Sequence, residues 1–355
     1  MKSAILYNKL IDSLTSLIIT FSLLFSIVSL VVVWYSLPLE VIIIGRIVEG
    51  ISGGIPILLA SSFAYIVDTV PSGTLSLRLA LIDMIIGLCG GTGGLVSGYL
   101  LEAVGYASVY LCSVGLYLFN FGSGPDPDLP GEGMRSIEYR PAQGGGHRWY
   151  MFFLLLAFMT YAMLLQGVPN LLILVQLNAP LCWDAVLMGY GIAVSCTGFL
   201  ASFLAVALLR RRLTPPGAAL LGLLSFSVGM VLLSFTSTTL MMFLAQIPLL
   251  LRVMPAPLMR SMMSNAVLPT EQGTLFSMVS CLQTFSEILA TIIFNNVYAA
   301  TVATFHGFSF ILAVAISVIP ATIMGYVVCY KMSSQSSPYK CWKVWGTVHN
   351  PDKLQ

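Results

Sequence analysis

Apolar residues run along this chain in blocks of about twenty, the length an α-helix needs to cross hydrocarbon. The blocks predict spans at 14–34, 39–66, 77–101, 105–122, 149–172, 185–209, 216–235, 238–259, 272–299 and 307–330. Short turns such as Ser36-Leu37-Pro38 and Thr236-Ser237-Thr238 separate several of them. The ten-residue alternation of a membrane β-barrel does not occur, so the expected class is an all-α polytopic membrane protein. One long polar interruption, 122–148, is rich in Gly and Pro and reads as a flexible linker. It divides the chain into a four-span bundle (1–121) and a six-span bundle (149–331), with a polar tail at 332–355.

Composition agrees. Of 355 residues, 57% are hydrophobic and 8% charged, whereas a soluble domain carries about a quarter charged residues. A net charge of +2 provides no basic field for nucleic acid. Lys and Arg nevertheless alternate between loops. Lys2, Lys9, Arg78, Arg135, Arg140, Arg148, Arg210, Arg211, Arg212, Arg260 and Lys331 fall on one side, and the loops of the other side have none. The basic side is expected to face the cytosol, with both termini there because the span count is even. The first span is too long for the apolar core of a cleavable signal peptide.

The seven cysteines show no CxxC or metal spacing, and His147, His306 and His349 fall in predicted loops or the tail. No cofactor or metal is expected. No Ser/His/Asp set shares a plausible face, which speaks against a membrane enzyme.

Ionisable residues at bilayer depth are informative because each costs roughly 2.5–3.5 kcal/mol on insertion scales. Arg46 and Glu49 lie three residues apart on one helical face; they either neutralise each other or line an aqueous cavity. Asp83 has no same-span partner except Arg78 at the membrane edge, leaving a proton-carrying role or a buried hydrogen-bonded acid. Arg252 and Glu287 lie mid-span and could pair across helices, as a structural tie or a substrate ligand. Asp68 and Arg260 sit near span ends, where snorkelling is the plain reading.

Gly90, Gly94 and Gly98 repeat every four residues, with Gly87 and Gly91 beside them. In lipid such stripes allow close helix packing. Pro248, Pro255 and Pro257 are expected to break the eighth span.

Several strings go further. PLCWDAVLMGYG (180–191), LMRSMMSNAVLPTEQGTLFS (258–277), FNNVYAATVATFHGFSFIL (294–312), FAYIVD (63–68) and RLALIDMIIGL (78–88) resemble solute carrier family 46. STTLMMFLA (237–245) is most similar to the family's lysosomal member, a proton-coupled symporter of steroid conjugates and bile acids. The resemblance implies a major facilitator fold with alternating access, two six-helix halves and a site between them. Against that plan the first two family helices are expected to be absent, leaving about ten of twelve spans. The resemblance also implies acidic transport residues at Asp68 and Asp83, and functional arginines at Arg46 and Arg260. Leu165 stands where the folate-carrying member has a histidine, and Cys182 is expected to lack its family disulfide partner.

The expected function is proton-coupled symport of an organic anion. Asp83, Asp68 and Glu287 are the proton-coupling candidates; Arg46, Arg260, Arg252 and Glu49 are the substrate candidates. The partners are the lipid bilayer, a small organic anion and a proton. The alternatives are folate or muropeptide substrates, or a non-transporting membrane protein acting in assembly. Tyr7-Asn8-Lys9-Leu10 fits a tyrosine-based sorting pattern and, with the resemblance, favours the lysosomal membrane.

Overall fold

With no water to take up main-chain hydrogen bonds, an apolar chain in lipid resolves into helices. Every regular element among the described residues is helical. The computed structural model describes residues 20, 22–35, 40, 43, 47, 54–70, 73–122, 147–179, 181–268, 271–302, 304–305 and 307–335. In chain order the helices begin with α1 (Ser22–Tyr35), α2 (Gly54–Thr69), α3 (Leu75–Val104) and α4 (Tyr106–Gly122). They continue with α5 (His147–Leu177), α6 (Ala185–Leu209), α7 (Pro215–Ser234) and α8 (Thr239–Leu244). A 3-10 turn (Pro248–Leu251) leads to α9 (Pro255–Ser264), then α10 (Gln272–Thr301) and α11 (Phe308–Gln335).

Among the described residues, seven segments are long and apolar enough to cross a membrane, α8 to α9 counting as one. Several helices outrun their apolar blocks, α5 by reaching from His147 to Leu177. His147, expected in a loop, is therefore the first residue of a helix. The expected linker and tail lie almost wholly outside the described residues.

The second bundle, α5 to α11, holds most of the core. One cluster packs Leu154, Phe158, Tyr161, Leu223, Met259 and Met324. A second packs Leu164, Trp183, Phe226, Leu249, Phe294 and Phe310. PLCW is structural: the Trp183 backbone N–H donates to the Gln176 carbonyl at 2.9 Å, and its indole Nε1–H donates to Thr239 Oγ1 at 3.1 Å. The indole stacks on Phe243, centroids 5.4 Å apart. Asp184 then caps α6 by accepting from the Leu187 N–H at 2.8 Å.

The eighth span breaks at its prolines. Main-chain carbonyls in the unwound stretch are met by hydroxyls from three other helices. Tyr161 of α5 donates to the Arg252 carbonyl at 2.7 Å, and Ser202 of α6 to that of Leu250 at 3.1 Å. Ser225 of α7 donates to the carbonyl of Pro248. Such substitution makes a broken helix tolerable at membrane depth. Gly222 of α7 gives the break room: a Cβ there would stand 2.7 Å from Pro255 Cδ.

The two bundles meet along α3 and α6. Gly87, Gly91 and Gly98 are buried in this seam. A Cβ at Gly94 would stand 2.6 Å from Ile192, and one at Gly98 2.8 Å from the Ala185 carbonyl oxygen. The register is thus Gly87, Gly91, Gly94, Gly98 rather than the expected Gly90, Gly94, Gly98. Gly90 is exposed, and a Cβ there would meet Cys196 at an ordinary 3.7 Å. Steps of four drift about 40° round a helix each time, so one contact face needs a step of three among them. The hydroxyls of Tyr99 and Tyr190 hydrogen-bond across the same seam.

Gly98→Leu is expected to lower stability by about 1–3 kcal/mol, the usual cost of overpacking. Gly93→Leu, where nothing lies within 4 Å, should be neutral. Thermal denaturation in detergent checks the pair; equal melting temperatures would count against the seam.

Candidate functional site

Asp83 lies two turns into α3, and Arg260 in the second turn of α9. The chain brings them together across 177 residues. Arg260 Nη1 donates to Asp83 Oδ1 at 3.3 Å and Oδ2 at 3.2 Å. Its Nη2 donates to Gln283 Oε1 of α10 at 3.2 Å. The guanidinium carbon sits over the Phe63 ring of α2 at 4.4 Å and the Phe158 ring of α5 at 5.5 Å. The Asp83 side chain is 12% exposed and that of Arg260 4%. Arg260 therefore does not snorkel, contrary to the plain reading of its place in the sequence. The broken span ends in a short helix buried along its whole length, which turns this arginine inward.

The pair joins the two bundles: α2 and α3 on one side, α5, α9 and α10 on the other. Phe63, Leu75 and Leu79 meet Phe276 in an apolar patch beside it. EQGTLFS has a local purpose, since Gln272 Nε2 donates to the Ser264 carbonyl at 2.8 Å and so ties the end of α9 to the start of α10.

The remaining expected residues divide. Arg252 is buried but does not pair with Glu287. Its Nη2 donates to the Ser195 carbonyl at 3.2 Å, while Glu287 lies half-buried on α10. Asp68 lies near the end of α2, its side chain outside the described residues. Arg46 and Glu49 fall outside them altogether. Cys182 is exposed, its backbone in the left-handed region at φ 44°. Among the described residues no cluster of His, Cys, Asp and Glu could hold a metal.

Sequence reasoning missed Gln283, Phe63 and Phe158. A mid-span glutamine is a visible polar signal. Aromatic faces meeting a cation are not visible, because Phe residues occur throughout such a chain.

Two helical bundles joined at a buried ion pair, with a broken helix in one of them, are an arrangement that membrane transporters share. The Major Facilitator Superfamily profile matches residues 3–291. The lysosomal proton-coupled steroid conjugate and bile acid symporter of Homo sapiens is 33% identical over 316 residues, covering 83% of this chain and 68% of that protein. The proton-coupled folate transporter of Bos taurus is 31% identical over 317 residues, covering 85% and 69%. The chain belongs to the Major Facilitator Superfamily and, within it, to solute carrier family 46. Among solved structures, the human organic anion transporter TETRAN has the same fold at a TM-score of 0.65 and 15% identity, covering 88% of this chain and 77% of that one. The transporter FucP in its outward conformation matches at 0.59 and 12%, covering 89% and 83%.

Removing one member of a buried ion pair leaves an uncompensated charge, at a cost of about 3–5 kcal/mol. Arg260→Gln is expected to destabilise by that order. The double variant Asp83→Asn/Arg260→Gln should recover most of the loss, as a double-mutant cycle in thermal denaturation reads directly. Additive losses would mean that the two side chains act independently.

Proposed function

We propose that this protein symports a proton with an organic anion, and that the Asp83–Arg260 pair is where the two are coupled. The observation that carries the reading is a buried guanidinium held jointly by both halves of the fold. With both groups charged, the pair draws α3 and α9 together. A proton on Asp83 removes the negative partner, and a bare arginine in low dielectric is costly. An arriving carboxylate or sulfate restores the balance. Proton uptake and anion binding thereby favour each other, and by linkage the favour is equal in both directions. Asp68 and Glu287 are secondary proton sites in this reading, and Arg46 and Glu49, which lie outside the described residues, are further substrate candidates.

The substrate class follows the printed activities of the relatives: steroid conjugates or bile acids ahead of folates. The lysosomal symporter among these relatives supports the lysosomal membrane. The alternation of Lys and Arg supports cytosolic termini. Epitope tags at each end, tested with and without permeabilising the membrane, check that orientation; a terminus reachable from the lumen would reverse it.

Uptake of a steroid sulfate by the wild type should rise as the outer or lumenal pH falls to about 5, near the upper reach of carboxylate titration in proteins. Asp83→Asn, compared at equal membrane abundance, should lose that acid stimulation. Retention of the full pH dependence would remove Asp83 from the coupling step.

A further inference from the structure

Arg252 is the second buried arginine of the second bundle, and the protein gives it far less than it gives Arg260. It lies between the 3-10 turn and α9 and is 6% exposed. A guanidinium offers five N–H donors and keeps its charge at any physiological pH. Nη2 donates to the Ser195 carbonyl of α6, while Nε and Nη1 are buried without a partner. Among the described residues the one ion pair is Arg260 with Asp83, so no described carboxylate balances Arg252. Its titratable neighbours, Tyr161 and Cys196, are ordinarily neutral at pH 7.

An unpaired buried cation is among the most expensive features a core can hold. This one is held on unwound main chain, whose carbonyls are met by Tyr161, Ser202 and Ser225. Beside it, Ser195 Oγ lies 3.4 Å from Gln246 Oε1 of the same broken span. The local set is therefore a guanidinium with free donors, a hydroxyl and an amide. Non-helical main chain at membrane depth is found where it is buried in protein or lines a cavity, and discontinuous helices carry substrate sites in many transporters.

We infer that Arg252, with Ser195 and Gln246, is an oxyanion subsite inside the second bundle, which takes the sulfate or carboxylate head of the transported molecule. It lies eight residues before Arg260 in the chain, and no described carboxylate forms an ion pair with it. The ligand class follows from charge and shape. A cation is repelled, a neutral molecule leaves the guanidinium uncompensated, and an oxyanion accepts several N–H donors at once. Two arginines then act in sequence: Arg252, standing unpaired, receives the head first, and the head passes to Arg260 once a proton has released that arginine from Asp83. The assignment of the ligand as a transported molecule rests on the symport reading above.

The test is binding of estrone 3-sulfate and of uncharged estrone to the purified full chain in lipid nanodiscs, with melting temperatures recorded in parallel. The wild type should prefer the sulfate. Arg252→Gln should weaken sulfate binding at least about tenfold, as expected for lost charge-assisted hydrogen bonds. Its affinity for estrone should be unchanged, and without ligand it should melt at or above the wild-type temperature, because an unbalanced charge has been removed. Arg252→Lys, which keeps the charge and loses the fork, should retain part of the preference. Undiminished discrimination by Arg252→Gln, a wild type with no preference for the sulfate, or an Arg252→Gln protein that is unstable without ligand would each overturn the subsite. Sulfate-selective binding without acid-stimulated uptake would instead sink the symport reading and leave the subsite standing.

Discussion

A guanidinium that cannot reach water must be matched by the protein around it, and Arg260 is matched from both halves at once. Its carboxylate partner and one aromatic face come from α3 and α2; its amide partner and second aromatic face come from α10 and α5. Several neighbouring features serve that arrangement. Gln272 clamps the end of α9, Phe276 fills the space beside Phe63, and the break in the eighth span allows α9 to point its arginine inward. A continuous helix would present a different face at residue 260.

The break in turn depends on hydroxyls. Prolines remove main-chain donors, and hydrocarbon offers nothing in exchange. Tyr161, Ser202 and Ser225 meet the carbonyls of the unwound stretch from three helices, so the break is a property of the bundle rather than of the span. Arg252, just before α9, and Arg260, in its second turn, are met unequally: Arg260 has a carboxylate and an amide partner with Nε alone unmet, whereas Arg252 has a single carbonyl with Nε and Nη1 unmet. The anion subsite proposed at Arg252 rests on that contrast.

Much of this was legible one helix at a time. Apolar blocks marked the spans, the three prolines marked the broken helix, and the cost of charge in lipid singled out Asp83, Arg252 and Glu287. What could not be read was who meets whom. Arg260 next to a loop reads as a snorkelling residue until the helix before it is known to be broken. Arg252 and Glu287 look like partners because both are mid-span, yet the arginine that α10 meets with a side chain is Arg260, through Gln283. The glycine register failed for the same reason: spacing shows that small residues recur, and the facing helix decides which of them are used. The family resemblance raised Arg260, but its partner emerged from packing alone.

The seam between α3 and α6 has a mechanical consequence. On α3 the glycines at 87 and 94 leave hollows that the side chains of Phe199 and Ile192 on α6 fill, while Gly98 and Gly189 bring the two backbones into direct contact further along. Any rocking between the bundles must therefore carry α3 and α6 as one unit or lift these side chains out, and it must also release the polar catches beside them, Tyr99 with Tyr190 and Asp83 with Arg260.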